Sequence, residues 1–314
     1  MRIIPAEREC MTSTIQKVVG LGEVLWDVFP DRRRPGGATA NVAFHASQLG
    51  CYGIVCSRVG ADRGGDELVH YLDSQGIDTR YVQRDEELPT GMVTVTPGER
   101  PDQHTFRIHE DVAWDRIAWG DRLEQLAQST AAVCFGTLAQ RSHVSSRTIH
   151  RFLAAMPESS LKVFDMNIRQ NDLDFTMLER SFMKATIVKM NSEEAAILNR
   201  WLPKCPTGEV RIAEWIIHTY DVKLVCVTRG SHGCLLVSQT GEVVESPMNE
   251  LVEVVDTVGA GDAFTAALIY AQLQGWVLPV TGIFANSVGS LVVSRAGAMP
   301  PLRQEFDDLV SQYR

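Results

Sequence analysis

Cysteine pairs, long apolar runs and an excess of positive charge are all missing from this sequence, and each absence excludes a class. The seven cysteines stand at positions 10, 51, 56, 134, 205, 226 and 234, an odd number with no C-x-x-C spacing. Several lie inside apolar runs such as Ala-Val-Cys134-Phe and Val-Cys226-Val. They read as small buried hydrophobes, kept reduced in a cytoplasmic protein. The eight histidines do not cluster with them, so no zinc signature exists. No run of 18 apolar residues occurs, and no membrane partner is expected. The nearest approach is 263–294, which has no Asp, Glu, Lys, Arg or His. Gln272, Gln274, Gly275, Pro279, Gly282, Asn286 and Ser287 interrupt it, so it reads as two buried helices joined near 275–279. The first 14 residues carry Arg2, Glu7, Arg8 and Glu9 without an apolar core, unlike a signal peptide. Thirty Lys and Arg face 39 Asp and Glu, a net charge of −9, which argues against a nucleic-acid partner. Two nucleotide fingerprints are missing as well. Gly20-Leu21-Gly22 has Leu25 where a dinucleotide fold needs its third glycine, and no G-x-x-x-x-G-K-[ST] occurs.

What remains is an ordinary globular composition, 45% apolar and 22% charged over 314 residues. Length alone suggests about two domains. Strand-like runs at 17–22, 53–59, 131–137, 161–165, 186–190, 223–228 and 234–238 alternate with helix-like stretches. The helical candidates are 38–49, 64–75, 145–155, 192–201, 209–220, 259–274 and 279–295. Several strand runs are continuous Val, Ile, Leu and Cys, as strands buried on both faces require. The alternation predicts an α/β fold with a mostly parallel sheet covered by helices. One region breaks it. Residues 91–96 and 104–109 flank the turn Pro97-Gly98-Glu99-Arg100-Pro101-Asp102 and read as a hairpin, either a lid or an edge of the main sheet.

The sharpest chemical signal is Asp256-Thr257-Val258-Gly259-Ala260-Gly261-Asp262-Ala263-Phe264. It follows an apolar extended stretch and opens a helix. Gly259 and Gly261 permit tight curvature and close ligand approach. Backbone N–H groups at that helix start form an anion hole, which the helix dipole reinforces. Asp262 in the first turn either takes a proton from an attacking hydroxyl or merely stabilises the helix start.

The run resembles the C-terminal signature of the PfkB (ribokinase-like) carbohydrate kinases, and other short motifs agree in the same order. Gly36-Gly37-Ala38-Thr39-Ala40-Asn41 resembles the sugar-binding GG-x-x-x-N turn. Gly60-Ala61-Asp62-Arg63-Gly64-Gly65 resembles G-x-D-x-x-G. Asp165-Met166-Asn167-Ile168-Arg169 resembles the D-x-N-x-R of fructokinase-like members. Lys189-Met190-Asn191-Ser192-Glu193-Glu194 matches N-x-x-E, and Val227-Thr228-Arg229-Gly230-Ser231-His232-Gly233 resembles the nucleotide loop. Ala296-Gly297-Ala298 with Pro300 resembles the closing loop. The likeness spans about residues 17–303.

The resemblance implies a three-layer α/β/α domain over 17–314, with a small β-lid from about 23–36 and 88–117 and an N-terminal extension, disordered, at 1–16. It implies ATP-dependent phosphorylation of a primary hydroxyl of a small sugar, fructose to fructose 6-phosphate in the first instance. Asp262 would be the base, and the amides of Gly259, Ala260 and Gly261 would stabilise the transferred phosphoryl. Asp27, Gly36, Gly37 and Asn41 would hold sugar hydroxyls, and Arg169 would contact sugar or phosphoryl. Asn191 and Glu194, three apart at a helix start, would organise Mg2+ and phosphates through water, or serve as a helix cap. Thr228, Gly230 and Gly233 would line ATP with Gly261, and Asn286 would lie near adenine or satisfy neighbouring backbone. A K+ ion would bind through Asp256 and the carbonyls of Val258, Val292, Arg295 and Gly297; Pro301 stands where some ribokinases carry a hydroxyl ligand. Phe106, with Ile108 and Trp114, forms either a lid face over sugar or ordinary hairpin packing. A homodimer through the lid is the implied assembly. The stretch 104–115 departs from standard fructokinases. Within kinases the alternatives are 2-keto-3-deoxygluconate kinase, for which Arg107 and Arg169 are candidate cations, ribokinase and nucleoside kinase. From another class, a non-catalytic sugar or nucleotide sensor is disfavoured because Asp262, Gly259 and Gly261 are all present.

Overall fold

The computed structural model describes residues 15–97, 104–168, 174–202, 204–248 and 253–313. The chain opens with β1 (Lys17–Leu21), two short strands β2 (Leu25–Val28) and β3 (Arg33–Gly36), then α1 (Ala38–Gln48) and β4 (Tyr52–Gly60). α2 (Arg63–Ser74) leads to β5 (Asp78–Asp85), the hairpin β6 (Gly91–Pro97) and β7 (His104–Ile108), and α3 (Asp121–Gln128). Next come β8 (Ala132–Phe135), α4 (His143–Ala155), β9 (Leu161–Asp165), α5 (Phe175–Phe182), β10 (Ile187–Asn191), α6 (Ser192–Trp201) and α7 (Glu209–Tyr220). The remainder is β11 (Leu224–Thr228), β12 (Cys234–Ser238), β13 (Val243–Ser246), α8 (Ala260–Leu273), α9 (Leu278–Val293) and α10 (Arg303–Ser311).

Nine strands form one sheet in the order β13-β12-β11-β10-β9-β8-β1-β4-β5. From β5 to β11 every pairing is parallel; β12 and β13 add antiparallel at one edge. The central strands are apolar on both faces because helices cover both. Val133, Phe164, Val188 and Val225 pack with α4, α5, α6 and α7. Their neighbours Cys134, Val163, Ile187 and Cys226 pack against α1, α8, α9 and α10. Successive residues of a strand face opposite layers, so each strand feeds both cores. Gly20 is required here: a Cβ would strike the Thr39 carbonyl oxygen, so the glycine lets α1 lie directly on β1. The uncharged stretch is the helix pair α8 and α9, turned at Gly275 with φ +71°. Among the described residues, no helix is long and apolar enough to cross a membrane.

The four remaining strands form a separate sheet, β3-β2-β6-β7. The hairpin is therefore not an edge of the main sheet. Its β6 pairs parallel with β2, and β3 returns antiparallel, so strands from two distant segments make one lid. Residues 112–117 do not belong to it: Val112, Trp114 and Ile117 are buried in the α3–α4 core. Residues 1–14, within the expected extension, lie outside the described residues. Sequence reading passed over β5, β13, α3, α5 and α10, and β2 and β3 entered only through the lid segment 23–36 that the resemblance implied. Most are short, and β5 (Asp78-Thr-Arg-Tyr-Val-Gln-Arg-Asp85) carries polar residues along much of its length.

Candidate active site

Seven parallel strands end on one edge of the sheet, and open α/β sheets bind ligands beyond that edge. The motif residues collect there. Asp165 and Asn191 close β9 and β10, Thr228 closes β11 in register with Asn191, and the loop after β1 leads into the lid.

Gly259 caps α8 in the left-handed region, φ +82°, and a Cβ on it would come within 2.7 Å of the Ala298 backbone. Only glycine fits both conditions. No side chain caps this end of α8. The first-turn amides thus lie where a helix start presents donors and positive potential to an anion. Asp262 stands in that turn and is buried to 8% exposure. Asn41, from α1, donates from Nδ2 to Asp262 Oδ2 at 2.7 Å. The Asn41 Oδ1 atom is buried without a hydrogen-bond partner. An acceptor left open beside a carboxylate suits a ligand hydroxyl. Gly37 precedes α1 at φ +113°, where a Cβ would strike the Glu23 carbonyl oxygen. Glu23 Oε1 accepts the Ala38 N–H at 3.0 Å and so steadies the turn that presents Asn41.

Beneath α8 lies a charge the sequence reading passed over. Lys189 sits at the centre of β10 and is buried. Its Nζ donates to both oxygens of Asp165, at 3.1 and 3.2 Å. A Cβ on Gly261 would lie 3.2 Å from this ammonium, so the lysine supports the anion-hole turn from below. Thr265 locks the arrangement by donating from its single hydroxyl toward Asp165 Oδ2 (2.8 Å) or the Gly261 carbonyl (2.9 Å). Burial pulls the lysine pKa down, but Asp165, Glu194 and Asp262 outweigh it and hold it above the usual value. The ammonium therefore stays charged. A signal was available: Ile187-Val-Lys-Met190 places a lysine inside a run that reads as buried on both faces. A buried charge needs partners, and those partners are the site.

At the start of α6, Asn191 and Glu194 form a capping box. Asn191 Oδ1 accepts the Glu194 N–H and Glu194 Oε2 accepts the Asn191 N–H, each at 2.8 Å. Glu194 Oε1 takes the Ile168 N–H at 2.8 Å, which ties β10 to the segment after β9. Burial raises the Glu194 pKa, partly offset by Lys189. The cap reading is thus realised, and any Mg2+ would meet these groups through water, as a strongly hydrated ion allows. Among the described residues no group of three or more His, Cys, Asp or Glu stands ready to hold a metal directly. The Thr228 hydroxyl donates to the Met190 carbonyl at 3.4 Å. Gly230 and Gly233 have φ +56° and +83°, and a Cβ on Gly233 would strike the Ser246 carbonyl oxygen. Asn286 is buried and donates to the Ser246 carbonyl at 2.9 Å. Its partner is therefore backbone, the second of the two readings made for it.

The lid reaches the same loop. A Cβ on Gly36, diagonal to Asp27 across β2 and β3, would come within 2.5 Å of the Asp27 Oδ2, which explains the glycine there. Arg34, paired in register with Asp27, sends its guanidinium to Asp256 Oδ2 at 2.8 Å. Asp256 also accepts the N–H groups of Gly297 (3.0 Å) and Val258 (3.1 Å). A K+ ion at Asp256 would have to share its carboxylate with an arginine, so the residues fit that ion poorly. Val258, Val292, Arg295 and Gly297 lie around this loop and the end of α9; Arg295 reaches Glu305 at 3.6 Å. Phe106 is 52% exposed on the lid, whereas Trp114 is fully buried, with Arg141 stacked 4.0 Å over its ring. Trp114 is core and not lid face. Arg169 lies outside the described residues. Arg34 and Thr265 escaped sequence reading because their partners are 222 and 100 residues away.

Comparison with known proteins agrees with this geometry. The family described as pfkB family carbohydrate kinase matches residues 8–305. An uncharacterized sugar kinase of Pyrococcus horikoshii is 32% identical over 290 residues, covering 90% of this chain and 87% of its own. Its crystal structure in complex with ATP superposes with a TM-score of 0.78 over 93% of this chain and 96% of that one, at 29% identity. A fructokinase of Vibrio alginolyticus is 28% identical over 310 residues, covering 90% of this chain and 94% of its own. A Xylella fastidiosa fructokinase with bound ATP reaches a TM-score of 0.83 at 21% identity over 95% of this chain and 98% of that one, a likeness of fold.

Proposed function

The chain belongs to the pfkB family of carbohydrate kinases, and on that premise we propose that it transfers the γ-phosphoryl group of ATP to a primary hydroxyl of a small sugar, fructose being the first candidate. The observation that carries the reading is the pairing of Asp262 with Asn41 at 2.7 Å beside an uncapped, glycine-opened helix start. Asn41 Oδ1 and the lid carboxylate of Asp27 support recognition of sugar hydroxyls. Asp262 removes the hydroxyl proton, and the sugar oxygen attacks the γ-phosphorus in line. The bond from that phosphorus to the β–γ bridging oxygen breaks, and ADP leaves with the electron pair. The amides of Gly259, Ala260 and Gly261 meet the charge on the transferred group, with Lys189 behind them. Asn191 and Glu194 would hold magnesium through its waters, and the ion would supply positive charge to offset that of the phosphates.

A coupled ADP-release assay over sugars, acid sugars and nucleosides, with and without K+, tests the substrate. Fructose as the best acceptor is the expected result. A 2-keto-3-deoxy acid sugar as best acceptor replaces the substrate and keeps the mechanism, and turnover of none favours a sensor. Asp262→Asn tests the base: a 10²- to 10⁴-fold loss in kcat is expected, and a loss of less than tenfold overturns the assignment.

A further inference from the structure

Away from the cleft, α4 and α5 enclose a groove of about 540 Å3. That volume lies within the range of small-molecule sites, about 300–1,000 Å3. Arg147 and Arg151 line it from successive turns of α4, and Arg180 and Lys184 from the end of α5 and the turn after it. His143, Ser146 and His150 complete the polar lining, and no carboxylate takes part. Among the described residues none of the four cations has an ion-pair partner, although most other arginines of the large domain and lid do. Four unpaired positive charges thus share one concavity on a chain of net charge −9.

His150 lines the groove between the cations. Its Nε2 is buried and has no hydrogen-bond partner. Burial, then the charges of Arg180 and Lys184, hold its pKa below the usual value, so the ring is neutral and open to an acceptor that brings negative charge. The groups facing it are Arg180 and Lys184 from the α5 side and Arg147 and Arg151 on its own helix. The α5 side of the groove is set apart from the catalytic cleft by topology. α5 connects parallel strands β9 and β10, so its C-terminal end returns to the sheet edge opposite the cleft. The interaction of Lys184 with Lys162, near the start of β9, agrees with that position.

We propose that this groove is a second anion site, one that takes a small multiply charged phosphate compound. A concave pocket with converging guanidinium groups suits phosphate oxygens. The acidic remainder of the surface disfavours an extended polyanion that would have to run beyond the pocket. The occupant bridges α4 to α5 and gives His150 a partner, which draws a proton onto the ring.

The probe is tripolyphosphate, titrated calorimetrically into the full-length protein and into R147E/K184E, each with the cleft saturated by a non-hydrolysable ATP analogue and Mg2+. The wild type binds, and the variant binds at least tenfold more weakly while keeping its basal kinase rate. If the reversed charges prevent folding, R147Q/R180Q serves in its place with the same expectation. In parallel, the His150 ring proton is followed by NMR against pH, and tripolyphosphate moves its titration upward. Equal affinity in wild type and folded variant overturns the proposal, as does a His150 titration that ignores the probe. Tighter binding of single-stranded RNA than of tripolyphosphate overturns the assignment to a small anion.

Discussion

Replacing Lys189 by Met keeps the length of the side chain in β10 and removes its charge. The ammonium lies directly under the first turn of α8, 3.2 Å from where a Gly261 Cβ would stand. At about 6 Å and an effective dielectric of about 20, one unit charge acting on another is worth roughly 3 kcal/mol. If half of that is felt only in the transition state, kcat falls about tenfold, and if most is, about a hundredfold. A pH signature accompanies the loss. Lys189 and Asp262 attract each other through the interior, so without the lysine Asp262 protonates more readily and the acid limb of the kcat profile moves upward. The fold weakens too, because a buried Asp165 is left unpaired; breaking such a pair costs about 3–5 kcal/mol, out of the roughly 5–15 kcal/mol that holds a domain together. Rates are therefore read where circular dichroism shows the variant folded. Adding Asp165→Asn removes the orphaned carboxylate. The melting temperature then recovers, and the acid limb returns toward the wild-type position because the charge around Asp262 is again balanced. A folded Lys189→Met enzyme that turns over within twofold of wild type, with an unmoved acid limb, refutes the role given to this lysine.

Arg34→Ala removes the guanidinium from Asp256; wild-type rates should be indifferent to exchanging K+ for a bulky organic cation, whereas the variant loses activity and regains part of it with K+, as steady-state kinetics will register. His45 is fully buried on α1 with its Nε2 2.9 Å from the Ala298 carbonyl oxygen, and burial, partly offset by that contact, lowers its pKa from 6.5 to about 4. Its folded-state pKa lies below the unfolded one, so its contribution to stability is complete above pH 6.5 and is lost as pH falls toward 4, by roughly 3 kcal/mol at most. Urea titrations at pH 7 and 4.5 should show that loss in the wild type and a smaller one in a folded His45→Gln variant. Calorimetry should find ATP bound far more weakly in EDTA than in Mg2+, because the carboxylates of the cleft repel bare phosphates; equal affinities would show that chain groups alone hold the nucleotide.

The large sheet was legible because central strands such as Ala132–Phe135 and Leu224–Thr228 are short apolar runs, separated by helix-like stretches. Short polar elements were not. β2 and β3 hold Asp27, Arg33 and Arg34, residues that carry no strand signal and acquire a reason only when β2 pairs with β6, more than 50 residues later, and β3 returns along β2. The site divided along the same line. Gly259, Asp262, Asn191 and Glu194 sit within contiguous motifs whose backbone demands are local: a left-handed glycine, a helix start, a reciprocal cap. Asn41 with Asp262, Arg34 with Asp256 and Thr265 with Asp165 are contacts between distant segments, and nothing in the order of residues announces them. Lys189 stands between the two cases. Its neighbours said buried strand, and alternation places it on the same face as Ile187, toward α8.

An acidic chain that handles a polyanion must put positive charge where the reaction occurs and keep it from drifting into useless pairs. Lys189 and Arg34 do this differently. Lys189 is enclosed, so its field reaches the site through protein and not through water, where screening would weaken it. Its attraction to Asp165 is the condition for its burial, since an ammonium alone in that position would shed its proton. Arg34 is partly exposed and acts through Asp256, whose carboxylate also gathers the Val258 and Gly297 amides. It thereby ties β3 of the small sheet to the loop on which Gly259 turns. On the proposed mechanism the lysine would set the charge balance of Asp262, while the arginine would hold the loop that brings the amides into place.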